Sequence, residues 1–180
     1  PEVHFISLQG TNGKPIALLA NYSLHYVGGV PQATISADYF GVFAGHIEKT
    51  LGRDKQYVAI MSNGTSGDIN NISFRVPRGR MERYQRINEV AKLVSDRVLA
   101  IHKKVTFNKK VTLAMEQTLL TLKNRQPSAK QVTYAKAVLS ENPPNPLPRL
   151  AEAYAHRTLG LATGLREEKI VLQALRIGEV

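Results

Sequence analysis

The sequence predicts an α/β fold class, a layered domain with a mixed β-sheet flanked by helices. Three observations lead to this prediction: an apolar hairpin pattern opens the chain, a short buried strand at 57–61 runs into a polar loop, and a long amphipathic helix follows at about 80–102. Strand-like and helix-like segments alternate, which is typical of helices packed on a sheet. With 180 residues, of which 43% are hydrophobic, the chain can bury one sizeable core, so we expect 1–180 to be a single segment.

Two strands are predicted first, at residues 3–9 and 15–22. The step Asn12-Gly13 between them favours the positive φ angles of a tight hairpin turn. The second strand is strongly apolar, and we expect it to be buried on both faces. It leads into a Gly-rich polar loop. Asp38 then begins a helix that ends near Leu51, because a carboxylate is favourable at the positive end of the helix dipole.

The predicted helix at about 80–102 places its apolar residues at three- and four-residue steps, on one face. The later elements are one or two strands within 105–122, helices at 130–140 and 149–161, and a strand at 169–180. Residues 142–148 contain four prolines and are predicted to form a stiff, extended connector.

The charge of the chain restricts its partners. Lys and Arg number 24 against 14 Asp and Glu, a formal charge of +10, which favours anionic partners. The densest basic run comprises Arg75, Arg78, Arg80, Arg83 and Arg86. Only Phe74 and Tyr84 lie near it, and because nucleic-acid surfaces interleave aromatic residues, the sequence does not favour nucleic acid. A solvated face is the default interpretation, and an anionic membrane surface or a protein partner is the alternative.

Other features exclude whole classes of protein. The chain contains no cysteine, so disulfide frameworks and thiolate metal sites are excluded. No stretch approaches the roughly 18 apolar residues of a membrane-spanning helix. The sequence starts without methionine or a signal-peptide pattern and stops after a strand-like run. We therefore expect a segment of a longer protein, with any active site completed elsewhere.

The histidines give one candidate site. None of the five is spaced as HxH or HExxH, so a local zinc motif is absent. His4, His46, His102 and His156 lie on predicted strands or helices and are interpreted as structural or solvated. His25 differs, because it leaves the end of a strand into a loop, and α/β sheets bind ligands at such strand ends.

The loop Ser62–Asn71 is the second candidate site. It follows a strand, and its backbone N–H groups could face an anion or a developing oxyanion. It is not a Walker loop, because Asp68 follows Gly67 where that motif has lysine. It is not a nucleophile elbow either, because Gly64-Thr-Ser-Gly67 is one residue too short. By spacing alone, a tight connecting loop is the alternative.

Three blocks of the sequence together resemble the neutral/alkaline, non-lysosomal ceramidase family. They are Leu18-Leu-Ala-Asn-Tyr-Ser-Leu-His25, Ile35-Ser-Ala-Asp-Tyr-Phe-Gly41 and Ser62-Asn-Gly-Thr-Ser-Gly-Asp-Ile-Asn-Asn71. Their order and spacing match the family as well. The resemblance implies that the chain is an internal segment of the N-terminal catalytic domain of a zinc-dependent amide hydrolase, which cleaves the N-acyl bond of ceramide or a related lipid amide. Members of this family are secreted, periplasmic or membrane-associated.

The resemblance also assigns residues. His25 is similar to a zinc-binding histidine of the family, and the other ligands are expected outside this chain. The family has a serine two residues after the Gly-Asp pair of the loop, and with Gly67-Asp68 as that pair, the position holds Asn70. Asparagine has no ionisable hydroxyl, but its amide can donate a hydrogen bond to an oxyanion. We therefore expect zinc-activated water to attack the acyl carbon, with Asn70, Asp68 and Gly67 as the catalytic loop.

The sequence leaves open several alternatives for the roles of the loop residues and for the function of the chain. Thr65 and Ser66 are candidate substrate contacts, and either hydroxyl is a rival for the missing serine. Asp68 and Asp38 match family positions, but loop bracing and helix capping explain them as well. Two alternatives for the function are a non-catalytic basic binding module on the same scaffold and a ceramidase-like hydrolase that acts on a different amide or ester.

Overall fold

A computed structural model of the protein describes residues 2–52, 55–73, 75–76, 79 and 81–179. The chain divides into two compact units, Pro1–Lys109 and Lys110–Val180. The described residues form a mixed three-stranded sheet, a separate two-stranded sheet and four helices. The predicted α/β class with a mixed sheet is therefore confirmed. In the described part of the chain, no helix combines the length and the apolar character that crossing a membrane requires.

The sheet of the first unit has the strand order β1-β2-β3, with β1 at Val3–Gln9, β2 at Pro15–Tyr22 and β3 at Val58–Asn63. β1 and β2 are antiparallel, and Gly13 in the turn between them has a φ of 78°, so the predicted hairpin is confirmed. β3 runs parallel to β2. The carboxyl ends of β2 and β3 therefore lie at the same edge of the sheet.

Two helices, α1 at Asp38–Leu51 and α2 at Gln85–His102, pack on each other and on one face of the sheet. α2 begins later than predicted, because Tyr84 has a φ of 61° and left-handed backbone does not continue a right-handed helix. The shared core takes apolar residues from all of these elements, among them Leu18 and Ala20 of β2, Tyr39, Phe43 and Ile47 of α1, and Ile87, Ala91 and Val98 of α2.

The opposite face of this sheet is exposed, so the prediction that the second strand is buried on both faces was wrong. Leu19, Val58 and Ile60 remain 43%, 46% and 53% exposed. Successive side chains of a strand point to opposite faces, and both helices cover the face that carries Leu18 and Ala20. An apolar run looks the same in sequence whether one face or both faces are covered.

In the second unit, β4 at Leu113–Lys123 and β5 at Glu167–Ile177 form an antiparallel ribbon. α3 at Ala129–Val138 and α4 at Ala151–Thr163 lie between these strands in sequence and pack on each other. A capping box starts α3: Gln131 donates its backbone N–H to Ser128 Oγ, and Ser128 donates its own to Gln131 Oε1. Residues 142–148 lie between the two helices and are not helical.

Candidate functional site

The carboxyl ends of β2 and β3 bring two polar loops to one edge of the sheet. The parallel register pairs Asn21 with Ser62 and Tyr22 with Asn63. Asn21 Nδ2 donates a hydrogen bond of 2.9 Å to Ser62 Oγ, and the Gly64 N–H donates one of 3.1 Å to the Tyr22 carbonyl. Both loops therefore start from a common, hydrogen-bonded base.

Further along, the backbone joins the two sequence-predicted sites directly. The His25 N–H donates a hydrogen bond of 3.0 Å to the carbonyl of Ile69. Ile69 in turn donates its N–H to the Ser66 carbonyl at 3.2 Å, and its side chain packs against the core of the first unit. The loop that contains Gly67 and Asp68 is thus anchored at Ile69 and attached there to the His25 loop.

The imidazole of His25 is partly exposed and lies beside the ring of Tyr26. Their ring centroids are 4.0 Å apart, and Tyr26 is itself 63% exposed. His25 Nδ1 lies 3.3 Å from the Tyr26 carbonyl oxygen. A histidine that donates Nδ1–H to a carbonyl presents Nε2 as its free lone pair, which is the arrangement of most metal-binding histidines. His25 can therefore act as a single metal ligand.

The first residue of α1 holds the His25 loop from the other side. Asp38 Oδ2 accepts the Gly28 N–H at 2.7 Å, and Oδ1 accepts the N–H groups of Val27 at 2.9 Å and Tyr39 at 2.7 Å. Asp38 has a φ of 52°, a strained region for most residues that aspartate tolerates. The sequence predicted Asp38 at the start of the helix, and the structure shows that its carboxylate also braces the loop after His25.

Tyr39 adds a second contact to the same loop. Its hydroxyl donates a buried hydrogen bond of 2.8 Å to the Leu24 carbonyl. Burial, with smaller contributions from Tyr22 and Asp38, raises the pKa of Tyr39 far above its ordinary value, so the hydroxyl stays protonated and keeps donating. Sequence reasoning missed this residue. The sequence feature that could have identified it is a tyrosine, whose ring is apolar and whose hydroxyl is polar, at the start of a helix that packs on the core.

The predicted catalytic loop presents its side chains to solvent. Gly67, Asp68, Asn70 and Thr65 are exposed, and Ser66 is half-buried. The side-chain Nδ2 of Asn71 donates a hydrogen bond of 3.4 Å to Asn70 Oδ1. The Asp68 carboxylate makes no hydrogen bond to any residue that the structure describes.

Asn63 and Ser66 brace this loop, a role that was the alternative interpretation for Asp68. The Asn63 side-chain amide donates a hydrogen bond of 2.9 Å to Ser66 Oγ. Gly64 is required at the base of the loop, because a Cβ at this position would collide with the hydroxyl of Ser23.

Among the described residues of the basic run, Arg86 contributes to the site. Arg86 Nη2 donates to the Asn71 carbonyl at 3.4 Å, and Arg86 Nη1 pairs with Glu89 at 3.2 Å. Arg75 and Arg83 are exposed, whereas Arg78, Arg80 and the neighbouring Phe74 lie outside the described residues. Arg86 therefore supports the loop after Asn70, at the start of α2.

The described residues contain no group of three or more His, Asp or Glu side chains that could hold a metal ion. The structure brings the backbone of His25 together with the loop of Gly67, Asp68 and Asn70, but the described residues do not complete a set of three ligands there. A closed zinc site needs three or four ligands, so His25 is at most one member of a larger set.

Comparison with solved structures gives two similar folds. One is the crystal structure of neutral ceramidase from Pseudomonas aeruginosa, with a TM-score of 0.62 and 15% sequence identity over 98% of this chain and 32% of that chain. The other is a ceramidase complexed with C2, with a TM-score of 0.58 and 15% identity over 99% of this chain and 34% of that chain. This chain spans about a third of the length of the ceramidase chains that it matches.

No protein-family model matches the sequence, and no curated protein matches it either. At 15% identity the likeness to the two solved structures is one of fold. The site described above is therefore built into a ceramidase-like fold.

Proposed function

We propose that this chain is part of a metal-dependent amide hydrolase of neutral ceramidase type, which cleaves the N-acyl bond of ceramide or a related lipid amide. The observation that carries the proposal is the 3.0 Å hydrogen bond from the His25 N–H to the Ile69 carbonyl. It holds a potential metal ligand next to a loop with exposed hydrogen-bond donors, in a fold similar to neutral ceramidase.

Zinc is the proposed metal, and His25 is the residue of this chain that would hold it. The contact of its Nδ1 with the Tyr26 carbonyl fits a ligand that binds through Nε2. Because the described residues contain no group of three such ligands, at least one further ligand would come from beyond them. When bound, zinc lowers the pKa of water to about 7 and polarises carbonyl oxygens.

Asn70 is proposed to stabilise negative charge on the acyl oxygen. Its Oδ1 already accepts a hydrogen bond from Asn71, so its own amide N–H groups are the ones left to donate to substrate. Gly67 leaves the loop backbone open, since nothing lies within 4 Å of the position that a Cβ would take there. Asp68 adds an exposed carboxylate beside Gly67, which can accept and return a proton.

The test is ceramide hydrolysis by the intact protein that contains this chain, with zinc content measured on the same samples. His25→Ala should lose zinc and activity together, whereas His4→Ala, which changes an exposed histidine, should lose neither. Asn70→Ala should keep zinc and lose about 10²–10³ in turnover, as expected for an oxyanion donor. Asn88→Ala, an exposed asparagine on α2, is its matched control. Full zinc binding and turnover by His25→Ala would refute the proposal.

The rival nucleophiles are tested separately. If Ser66 or Thr65 forms an acyl-enzyme, Ser66→Ala or Thr65→Val should abolish turnover, and Asn70→Ala should have a smaller effect. If they only contact substrate, as proposed here, both variants should retain turnover at saturating ceramide and raise KM.

A non-catalytic binding module is the second candidate, and Asn70 is the observation that favours it, because an amide cannot replace a serine nucleophile. A binder needs neither stoichiometric zinc nor turnover. Its binding to a polyanion should weaken steeply with added salt, whereas cleavage of an uncharged lipid amide should not.

A further inference from the structure

The second unit carries a helical hairpin between the two strands of its ribbon. This helical head, residues 124–165, comprises α3, α4 and the connector 142–148. At its base the Asn124 N–H donates to the Arg166 carbonyl at 2.8 Å, and Asn124 Nδ2 donates to the Leu165 carbonyl at 2.9 Å. These bonds hold together the two chain segments at the base of the helical head, where it leaves the ribbon and returns to it.

The helical head exposes large apolar side chains around a small core, in which Leu139, Leu147 and Leu159 pack against the buried residues. The buried residues are Ala135, Val138 and Ala155. Four exposed residues, called the apolar stripe below, are Tyr134, Leu150, Tyr154 and Leu161, which are 50%, 58%, 59% and 45% exposed. Leu165, at the base of the helical head, is also exposed. Tyr154 and Leu161 lie seven residues apart on α4 and so share one face, and Leu150 immediately precedes this helix. Exposed apolar side chains grouped on one helical hairpin are typical of a contact surface.

The two tyrosines of the stripe come from different helices but line one groove. Tyr134 of α3 and Tyr154 of α4 border a groove of about 360 Å³ between the helices. The small side chains of Ala135 and Ala155 form part of its lining. Tyrosine is enriched where an apolar phase meets water, because its ring is apolar and its hydroxyl is polar.

Positive charge is placed beside the apolar stripe. Arg149 lines the groove with the two tyrosines, and the guanidinium of Arg157 lies 5.8 Å from the centre of the Tyr154 ring. Lys130 lies one helical turn before Tyr134, on the same side of α3. Glu152, in the first turn of α4, lines a neighbouring groove together with Leu150 and Pro148, so one carboxylate lies near three cations.

We propose that the helical head binds the surface of an anionic lipid bilayer, with the apolar stripe at headgroup level and Arg149, Arg157 and Lys130 near lipid phosphates. A second copy of the chain fits less well, because a symmetric pair would place these cations against their own equivalents. The proposal does not depend on the hydrolase activity, since its measurements are of lipid binding.

The first experiment measures co-sedimentation of the whole protein with vesicles of phosphatidylcholine, alone or mixed with phosphatidylglycerol. We expect binding to the mixed vesicles that weakens with added salt. Arg149→Gln with Arg157→Gln should lower the partition coefficient about 25-fold, since each cation near an anionic surface contributes about fivefold. Lys136→Gln is the matched control, because Lys136 lies two residues from Tyr134, on the other side of α3, and should matter little.

Removal of the aromatic groups tests the apolar part. Tyr134→Ser with Tyr154→Ser should lower the partition coefficient about tenfold or more, because two half-buried rings no longer enter the interface. Leu175→Ser changes a side chain of β5 that is 73% exposed and should leave lipid binding unchanged.

A fluorescence measurement keeps the test valid if a charge variant fails to fold. The chain contains no tryptophan, so Tyr154→Trp introduces a single reporter. Its emission should shift to shorter wavelength on mixed vesicles and be quenched by brominated lipid, while Tyr84→Trp at the start of α2 should show neither effect.

Three results would overturn the proposal. The first is no binding of the wild-type protein to mixed vesicles at low ionic strength, and the second is equal binding to neutral and anionic vesicles. The third is a dimer in sedimentation that is lost in Tyr134→Ser with Tyr154→Ser, which would assign the stripe to a second copy.

Discussion

The Asp38 carboxylate braces the loop that carries His25, so its replacement by asparagine should loosen that loop. The carboxylate accepts three backbone N–H groups, and among the described residues its Oδ2 accepts only that of Gly28, at 2.7 Å. An asparagine side chain would keep one acceptor oxygen but would turn an amide NH₂ toward the Gly28 or Val27 N–H. Asparagine also tolerates the left-handed backbone at this position, where φ is 52°, so the change adds no backbone strain.

The expected cost follows from the lost bond. A hydrogen bond to a charged group contributes about 1.5–3 kcal/mol, and a stranded buried donor costs a similar amount. We therefore expect Asp38→Asn to lower the free energy of unfolding by about 1.5–3 kcal/mol, measured by urea denaturation of the whole chain followed by circular dichroism. Hydrogen exchange at the Val27 and Gly28 amides should become about tenfold faster or more, since about 1.4 kcal/mol corresponds to a factor of ten.

The matched control is Asp96→Asn on α2. Asp96 pairs with Lys92 at 2.7 Å, but its side chain is 57% exposed, and an exposed pair of this kind contributes about 0.3–0.5 kcal/mol. The bracing role of Asp38 is refuted if both variants lose the same free energy and exchange at Val27 and Gly28 is unchanged.

Two further predictions concern the first unit. Burial lowers the pKa of His102, whose ring lies 2.9 Å from the Ser7 hydroxyl. As the pH falls, this histidine is therefore protonated in the unfolded chain before it is protonated in the folded chain. The free energy of unfolding should fall as the pH drops below about 6.5 toward the lowered pKa of the folded state. Urea midpoints at a series of pH values should show this fall, and His102→Gln should reduce it; identical pH profiles would contradict the assignment. Gly64→Ala should cost about 1–3 kcal/mol, because its Cβ would collide with Ser23, whereas Gly67→Ala should change the free energy of unfolding by less than about 0.5 kcal/mol. Thermal unfolding of both variants checks the contrast, and equal midpoints would contradict it.

The elements with a clear period or turn signal were predictable from the sequence. The hairpin of 3–9 and 15–22 was found because Asn12-Gly13 specifies its turn, and α1 was found within its observed bounds. The sequence did not predict which faces of these elements are buried. Apolar patterning does not reveal whether a second layer covers the sheet, so the exposure of Leu19 on one face of β2 was not predictable. The left-handed backbone of Tyr84, which delays α2, left no mark in the pattern either.

The candidate site was predictable in position but not in its connections. His25 and the loop from Ser62 were singled out because both follow strands, and parallel strands deliver their ends to one edge. The bond between His25 and Ile69 depends on the register of β2 against β3, which pairs residues 41 positions apart, such as Asn21 and Ser62. Register is fixed by packing of the whole sheet, and no local signal encodes it.

The hydrogen bonds at this edge separate residues that build the site from residues that can act in it. Asn21, Asp38 and Tyr39 direct their polar side-chain atoms to other protein groups, and they act as braces. Asp68 and Asn70 stand exposed, and in the described structure Asp68 has no hydrogen bond while Asn70 receives one only from its neighbour. Apart from that one bond, the described fold does not depend on these two side chains. If chemistry occurs at this edge, changes at Asp68 and Asn70 should alter turnover more than stability, and changes at Asp38 should do the reverse.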